Sequence, residues 1–212
     1  MRAGPVKCSY ECGRQTPTSR AMDIKPTVLE GQHVRLEPLT LHHAVGFYEA
    51  GREWNLTPEK VRGEIESALR QQASGVTLPF ATVEKSSGRV VGGTRFLHIM
   101  PEHRRLEIGS TWIARPWRRT AINTEAKFLM LEHAFERLGC VRVEFMADAL
   151  NEVSREAILR LGAKEEGTFR NYIVRADGEI HDAVFYSIIE AEWPSVRGRL
   201  LEMLARRGDR DA

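Results

Sequence analysis

Features that mark several protein classes are scarce in this 212-residue chain. It has three cysteines, and the one close pair, Cys8 and Cys12, has no second pair to complete a zinc site or a disulfide framework. No apolar run approaches the roughly 20 residues of a membrane span, and residues 1–26 lack the hydrophobic segment that export requires. We therefore expect a cytoplasmic protein without a membrane partner.

Excess charge of one sign is absent as well. Lys and Arg together number 31 against 29 for Asp and Glu, so no global field attracts nucleic acid or an anionic membrane. His98, His103 and His181 share no metal-ligand spacing, and no metal is expected. The hydrophobic content of 42% is ordinary for a soluble globular protein.

Residues 1–26 differ from the rest of the chain. They contain scattered glycine, proline and polar residues without hydrophobic periodicity, which predicts a disordered N-terminal leader, and Met22 is a candidate for the true start. Residues 27–212 are predicted to form a single domain, whose fold begins near Gly31.

The remainder alternates between strand-like and helix-like periodicity in the order βααβββαβαββα. An antiparallel meander over 78–113 is followed by a helix over 124–138, a strand over 140–146, a helix capped by Asn151 and a hairpin over 168–189. This mixture predicts the α+β class in three layers, with a single mixed, mostly antiparallel sheet flanked by helices.

The stretch from Arg118 to Thr124 is the most informative part of the sequence. It follows a strand-like run, 107–113, and leads directly into the helical run 125–138. The start of a helix presents backbone N–H groups that have no partner within the helix. Because Arg118 and Arg119 lie beside these groups, the stretch predicts a site for a phosphate or pyrophosphate.

Three segments carry a family resemblance through their order and spacing. They are the loop Arg118-x-x-Ala121-x-Asn123, the helix start Asn151-x-x-Ser154 with Leu161-Gly162-Ala163 after it, and the last hairpin with Arg170, Asp182 and Val184-Phe185-Tyr186-Ser187. Together they resemble the GNAT superfamily of acyl-CoA-dependent N-acyltransferases, most of all its RimJ/RimL branch. In that superfamily the loop pattern is Arg/Gln-x-x-Gly-x-Gly/Ala.

The resemblance implies an enzyme, an N-acetyltransferase that uses acetyl-CoA as co-substrate. The acetyl group would pass to a primary amine, on a protein N-terminus or a small molecule, by direct attack in a ternary complex. It further implies that the strands carrying Ile113 and Cys140 splay apart, that the coenzyme enters this gap, and that backbone amides of the loop wrap its pyrophosphate. The cofactor-binding residues implied are Thr111, Trp112, Ile113, Arg118, Arg119, Thr120, Ala121, Ile122, Asn123, Thr124, Asn151 and Ser154.

The loop departs from the superfamily pattern because it has no glycine. Ala121 is tolerable there if its φ is negative, since it adds only one methyl group. Asn123 is the non-glycine residue that best tolerates left-handed geometry, and it can also cap the following helix. We therefore expect the loop to bind phosphate still.

Two residues are candidates for catalysis. Many superfamily members have a tyrosine seven residues after the asparagine, where this chain has Ile158, so Ser154 is the remaining hydroxyl that could assist the leaving thiolate. Its alternative role is that of a plain helix N-terminal hydroxyl. Glu107 is the candidate base, and its alternative is an exposed carboxylate paired with Arg105 or Arg95. A backbone N–H near residues 112–113, where the strand would diverge, is expected to polarise the thioester.

The sequence has two alternatives to acetyl transfer. Because the loop glycines and the tyrosine are missing, a non-catalytic acyl-CoA-binding sensor is the main alternative. A small RNA- or ribosome-binding domain is disfavoured by the balanced charge and by the absence of an aromatic and basic platform. The free edge of the last hairpin would allow a homodimer.

Overall fold

A computed structural model describes residues 22–211, with side chains described through Arg206. Its eight strands form one sheet in the order β1-β2-β3-β4-β5-β6-β8-β7. The strands are β1 Leu29–Glu30, β2 Val34–Pro38, β3 Leu78–Glu84, β4 Val90–Met100, β5 Arg105–Ile113, β6 Arg142–Asp148, β7 Lys164–Val174 and β8 Ile180–Ile189. The helices are α1 Ala44–Ala50, α2 Pro58–Ala73, α3 Ala121–Glu132, α4 Glu152–Leu161 and α5 Trp193–Asp211.

The predicted fold class is confirmed. Of the strand pairs, β5–β6 is parallel and the others are antiparallel, so the sheet is mixed and mostly antiparallel. Helices α1 and α2 cover one face over a small core that includes Val61 and Ile65. The main core lies on the other face, where α3 packs beside α5 over fully buried residues such as Phe96 and Phe145.

Helix ends follow the capping residues of the sequence. Thr57 accepts a hydrogen bond from the Lys60 N–H at 3.2 Å, at the start of α2. Asn151 accepts a hydrogen bond from the Ser154 N–H at 3.1 Å, at the start of α4. Gly162 ends that helix with a φ of 104°. These boundaries were readable because cap geometry depends on few neighbouring residues.

The predicted start of α3 is wrong. The helix begins at Ala121 rather than Thr124, because the Thr120 side chain is its cap and accepts from the Ile122 N–H at 3.3 Å. Left-handed geometry falls on Arg119, with a φ of 64°, and Asn123 lies inside the first helical turns.

The strand after α3 is also displaced from its predicted range of 140–146. A π-helical turn, His133–Arg137, extends α3, and the Cys140 N–H bonds the carbonyl of Ala134 at 2.9 Å. Cys140 therefore lies in the turn that follows the helix, and β6 begins two residues later, at Arg142.

A buried carboxylate on α3 holds the turn between β1 and β2. Glu125 accepts hydrogen bonds from the backbone N–H groups of Gln32, His33 and Val34, each at 2.7 Å. Its oxygens lie within 2.8 Å of where a side-chain carbon on Gly31 would be, so only glycine fits at that position without a shift. The start of α3 is thus fixed to the first hairpin.

The described chain already packs at its first residue. Met22 is buried and Ile24 lies against the main core, although both fall in the predicted leader; the rest of that leader lies outside the described residues. Within residues 22–211, no helix combines the length and apolar character needed to cross a membrane. Strand β7 lies at the edge of the sheet, and a homodimer stays a prediction.

Candidate active site

The two parallel strands separate part-way along their length. β5 and β6 pair from Arg105 to Glu107 only, although β5 continues to Ile113 and β6 to Asp148. Beyond Glu107, the edge of β5 that faces β6 has no strand partner within the described chain. Such an edge can bind an extended polar ligand as an added strand.

The gap begins earlier than the sequence indicates. Trp112 and Ile113, where the divergence was predicted, are still paired with β4 on the other side of β5. The strands separate just after Glu107, and β5 bends at Ser110, which has a φ of 47° in a bulge. Bulges re-aim strands next to functional sites at the cost of local strain, and nothing in the residue type of Ser110 signals one.

Both strands that flank the gap lead into helix starts at the same edge of the sheet. β5 is followed by α3 and β6 by α4. At the start of α3, the Thr120 hydroxyl bonds the Ile122 N–H, and the other amides of this first turn have no carbonyl within the helix to bind. Ala121 lies in the helix and has no positive φ, so an alanine is tolerable at this position of the loop. This helix start is suited to a phosphate group.

The two arginines of the loop are placed differently. Arg118 donates to the carbonyl of Ile113 at 2.9 Å and to Glu53 at 2.6 Å, and its guanidinium lies over the Trp54 ring. Arg119 is exposed. Phosphate contact by Arg118 would therefore require the loss of its present contacts, whereas the backbone amides are independent of them.

The two residues that complete the loop motif are largely enclosed. The Asn123 Oδ1 and the Thr124 Oγ1 are buried and have no hydrogen-bond partner within the described chain. Thr124 is fully buried in α3, so its side chain is less accessible to a cofactor than the amides of the first turn. Unpaired buried polar atoms cost free energy, so each calls for an explanation, and a functional role is one such explanation.

Glu107, the candidate base, lies buried where the two strands separate. Its Oε2 is 2.9 Å from the Nδ1 of His98, so the predicted alternative of an exposed carboxylate paired with Arg105 or Arg95 is wrong. Burial raises the pKa of the Glu107 carboxyl, with the charge of Glu144 acting in the same direction and His98 opposing both. A carboxyl with a raised pKa is better matched to accept a proton near neutral pH.

His98 was missed as a site residue by the sequence. It has a φ of 44° in a second bulge, between Leu97 and Met100, and this bulge lets an exposed imidazole reach the buried Glu107. The sequence offers no signal for it, because strand histidines are common and the left-handed backbone is visible only in the fold.

A glycine leaves room for the Glu107 carboxylate. A side-chain carbon on Gly109 would lie 2.8 Å from the Glu107 Oε1 and 2.9 Å from a methyl carbon of Leu97. Both are ends of flexible side chains, so an alanine would move them without breaking the strand. The carboxylate therefore extends along β5 over Gly109.

We predict that Gly109→Ala lowers kcat about 100-fold, because displacing a catalytic group by about 1 Å can cost this much. Thermal unfolding should change little. The matched control is Gly63→Ala, since a side-chain carbon there meets nothing within 4 Å. A normal turnover number for Gly109→Ala would mean that the position of the Glu107 carboxylate does not matter for the reaction.

The second catalytic candidate, Ser154, lies in the first turn of α4. Its N–H is bonded to Asn151, while its hydroxyl forms no hydrogen bond with any described residue. The hydroxyl is thus without a partner among the described side chains, in the helix that follows β6. Ile158, at the position of the superfamily tyrosine, is buried and cannot replace it.

A buried lysine, which the sequence did not predict as a site residue, lies near the bulge of β5. Lys127 lies on the sheet-facing side of α3, where its Nζ donates to Thr94 at 3.0 Å and to Thr111. Burial lowers the pKa of this amine to about 7. The contacts fix β4 and β5 beside the gap. No sequence pattern predicts the burial of Lys127, because a lysine within a helix is usually exposed.

A known protein family matches this chain. The family described as Acetyltransferase (GNAT) domain matches residues 33–164, more than half of the chain. The chain belongs to the GNAT family. The family match supports the acetyltransferase interpretation and gives no support to the sensor alternative.

Individual relatives agree with this membership. The "Putative ribosomal N-acetyltransferase YdaF" of Bacillus subtilis (strain 168) is 38% identical over 91 residues, a match that covers 43% of this chain and 49% of YdaF. The chain thus matches about half the length of that relative. A putative acetyltransferase from T. thermophilus is 35% identical, with a TM-score of 0.77 and coverage of 85% of this chain and 98% of that one.

A RimJ protein of known structure has a similar fold. Mycobacterium smegmatis RimJ, solved in complex with CoA-disulfide, has a TM-score of 0.73 at 22% identity, and the match covers 86% of this chain and 96% of RimJ. At that identity the likeness concerns the fold.

GNAT acetyltransferases use acetyl-CoA, and the residues of this chain fit that coenzyme. The unpaired edge of β5 suits the amides of the pantetheine arm, and the start of α3 suits the diphosphate. Among the side chains described, no group of His, Cys, Asp and Glu residues is placed to hold a metal ion.

Proposed function

We propose that this GNAT protein transfers the acetyl group of acetyl-CoA to a primary amine by direct attack within a ternary complex. The observation that carries the proposal is the gap between β5 and β6, which opens toward the starts of α3 and α4. The acceptor is a protein N-terminus or a small-molecule amine; the relative YdaF is named a putative ribosomal N-acetyltransferase, a name that corresponds to the former class.

The reaction requires a carbonyl to be polarised, an amine to lose a proton and a thiolate to leave. The amine nitrogen bonds the thioester carbon, and the bond from that carbon to sulfur breaks. A backbone N–H on the unpaired edge of β5, near Trp112 or Ile113, polarises the carbonyl oxygen. Binding both reactants beside this edge lowers the activation barrier further, because it orients them for the attack.

Proton transfer is assigned to Glu107 and Ser154. Glu107 takes the proton of the amine, and the exposed His98, in contact with its Oε2, connects it to solvent. The Ser154 hydroxyl donates to the departing thiolate, which needs little help because thiols are acidic compared with alcohols. The amides of residues 119–123 bind the diphosphate, with Thr120 and Asn151 shaping the two helix starts.

The decisive experiment is to incubate the protein with acetyl-CoA and a panel of amines, and to measure release of the free thiol. Release that depends on an amine is expected. Tight binding of acetyl-CoA, measured by calorimetry, with no release for any amine would contradict the proposal and favour a sensor.

For Ser154→Ala we predict a kcat reduced about 10-fold with a nearly unchanged dissociation constant for acetyl-CoA. The effect is small because the leaving thiolate requires little protonation. Ser67→Ala, on α2 and away from the gap, is a suitable control. An unchanged kcat would remove Ser154 from the mechanism.

A further inference from the structure

A cavity of about 440 Å³ lies between α2 and the sheet and reaches the bulge of β5 at residues 110–112. This size falls within the range of small-molecule sites, about 300–1,000 Å³. Much of its wall is apolar, including Leu39, Phe47, Trp54, Leu56, Phe80 and Trp112. The Trp112 ring is held edge-on between those of Phe47 and Trp54, at centroid distances of 5.2 and 5.1 Å. The cavity therefore has a firm aromatic rim beside the reaction gap.

One cation is placed in this apolar wall. Arg95 lines the cavity, and its side chain forms no hydrogen bond or close ion pair with any residue from 22 to 206. Glu64, on the opposite wall, acts on it only at longer range, and burial lowers the pKa of the guanidinium, which nevertheless stays charged. A half-buried guanidinium whose donors are unused is suited to bind a carboxylate in a bidentate manner.

Arg95 lies close to the proposed base. It is paired across β4 and β5 with Gly109, and the Glu107 carboxylate extends over that same glycine. An amine that reaches Glu107 therefore has the Arg95 guanidinium near it, on the same face of the sheet. Arg95 itself lines the apolar cavity.

We propose that the acceptor is a free α-amino acid with a large apolar or aromatic side chain, whose carboxylate binds Arg95 while its side chain fills the cavity. In an amino acid, one carbon separates the amine from the carboxylate, and the register of β4 and β5 places Arg95 and Glu107 on the same face of the sheet. A protein N-terminus lacks this carboxylate, because it is part of a peptide bond. The inference rests on the proposed acetyl transfer and narrows its acceptor class.

The test compares phenylalanine with phenylalaninamide, which differs by loss of the carboxylate charge, in wild-type protein and in Arg95→Met. For wild type, kcat/KM for the acid is expected to exceed that for the amide by about 10- to 100-fold, the usual effect of a hydrogen bond to a charged group. In Arg95→Met this ratio should fall toward 1. Using the change in the ratio removes the difference in intrinsic reactivity between the two amines.

Arg62→Met is the matched control, since Arg62 is exposed on α2 and paired with Glu66 away from the cavity. It should keep the wild-type ratio. A wild-type protein that acetylates amides or peptides at least as well as amino acids would overturn the inference even if Arg95→Met does not fold, while leaving acetyl transfer intact. Absence of thiol release with every amine would instead overturn the proposed function, and this inference with it.

Discussion

Replacement of Glu107 by glutamine is expected to lower kcat by about 100- to 10,000-fold, the usual contribution of a general base. Glutamine keeps the size of the side chain and can still bond His98, but it cannot accept a proton from the amine. The dissociation constant of acetyl-CoA should stay close to that of wild type. Steady-state kinetics together with calorimetry would measure both quantities.

The raised pKa of Glu107 adds a pH signature. In wild type, kcat/KM should rise with pH through a value above the ordinary range of glutamic acid, since the carboxyl must be ionised to act. A raised pKa also means that the stability contributed by the protonated group is present below the unfolded-state pKa and lost as pH rises through the folded-state pKa. Glu107→Gln should therefore be at least as stable as wild type at neutral pH.

The matched control for this prediction is Glu102→Gln, because Glu102 is an exposed carboxylate in the turn that precedes β5. It should retain normal kinetics. A Glu107→Gln protein with the wild-type kcat and an unshifted pH profile would show that another group collects the proton.

The second large effect, a loss of affinity for acetyl-CoA, is expected for Ala121→Asp. Ala121 is the first residue of α3, so a carboxylate there would lie at the helix start assigned to the diphosphate. Placing like charges together costs several kcal/mol, and we expect the affinity for acetyl-CoA to fall about 100-fold or more. An acidic residue is favourable in the first turn of a helix, but Ala121 is buried, so folding of the variant is to be checked by circular dichroism.

Ala121→Asn separates charge from size in this experiment. Asparagine has nearly the shape of aspartate without its charge, and Ala121 is buried, so both variants meet the same steric demand. The asparagine variant should bind acetyl-CoA much more tightly than the aspartate variant. Equal affinity of the two, with intact folding by circular dichroism, would show that the diphosphate binds elsewhere.

The parts of the fold that depend on local chemistry could be read from the sequence. The caps at Thr57 and Asn151 and the terminating Gly162 gave correct helix ends, since each acts within a turn of its own position. The start of α3 was misplaced because Thr120 and Asn123 are both good capping residues, and the choice between them depends on the preceding turn.

The chemistry of the site depends on contacts that are distant in sequence. Glu107 is buried and in contact with His98, which lies in a bulge and has left-handed backbone geometry. Arg118 is occupied by Glu53, which lies 65 residues earlier. The family resemblance pointed to the strand and loop that border the gap, but neither residue type nor spacing encodes these partners.

The clamp by which Glu125 holds three amides near Gly31 has a consequence for how the chain is made. The bonded partners are 91 to 93 residues apart, so this turn emerges during synthesis long before the carboxylate that satisfies it. Until α3 has docked, those amides must remain hydrated, and the first hairpin cannot reach its final burial. The N-terminal strands are therefore expected to mature late, even though they are translated first.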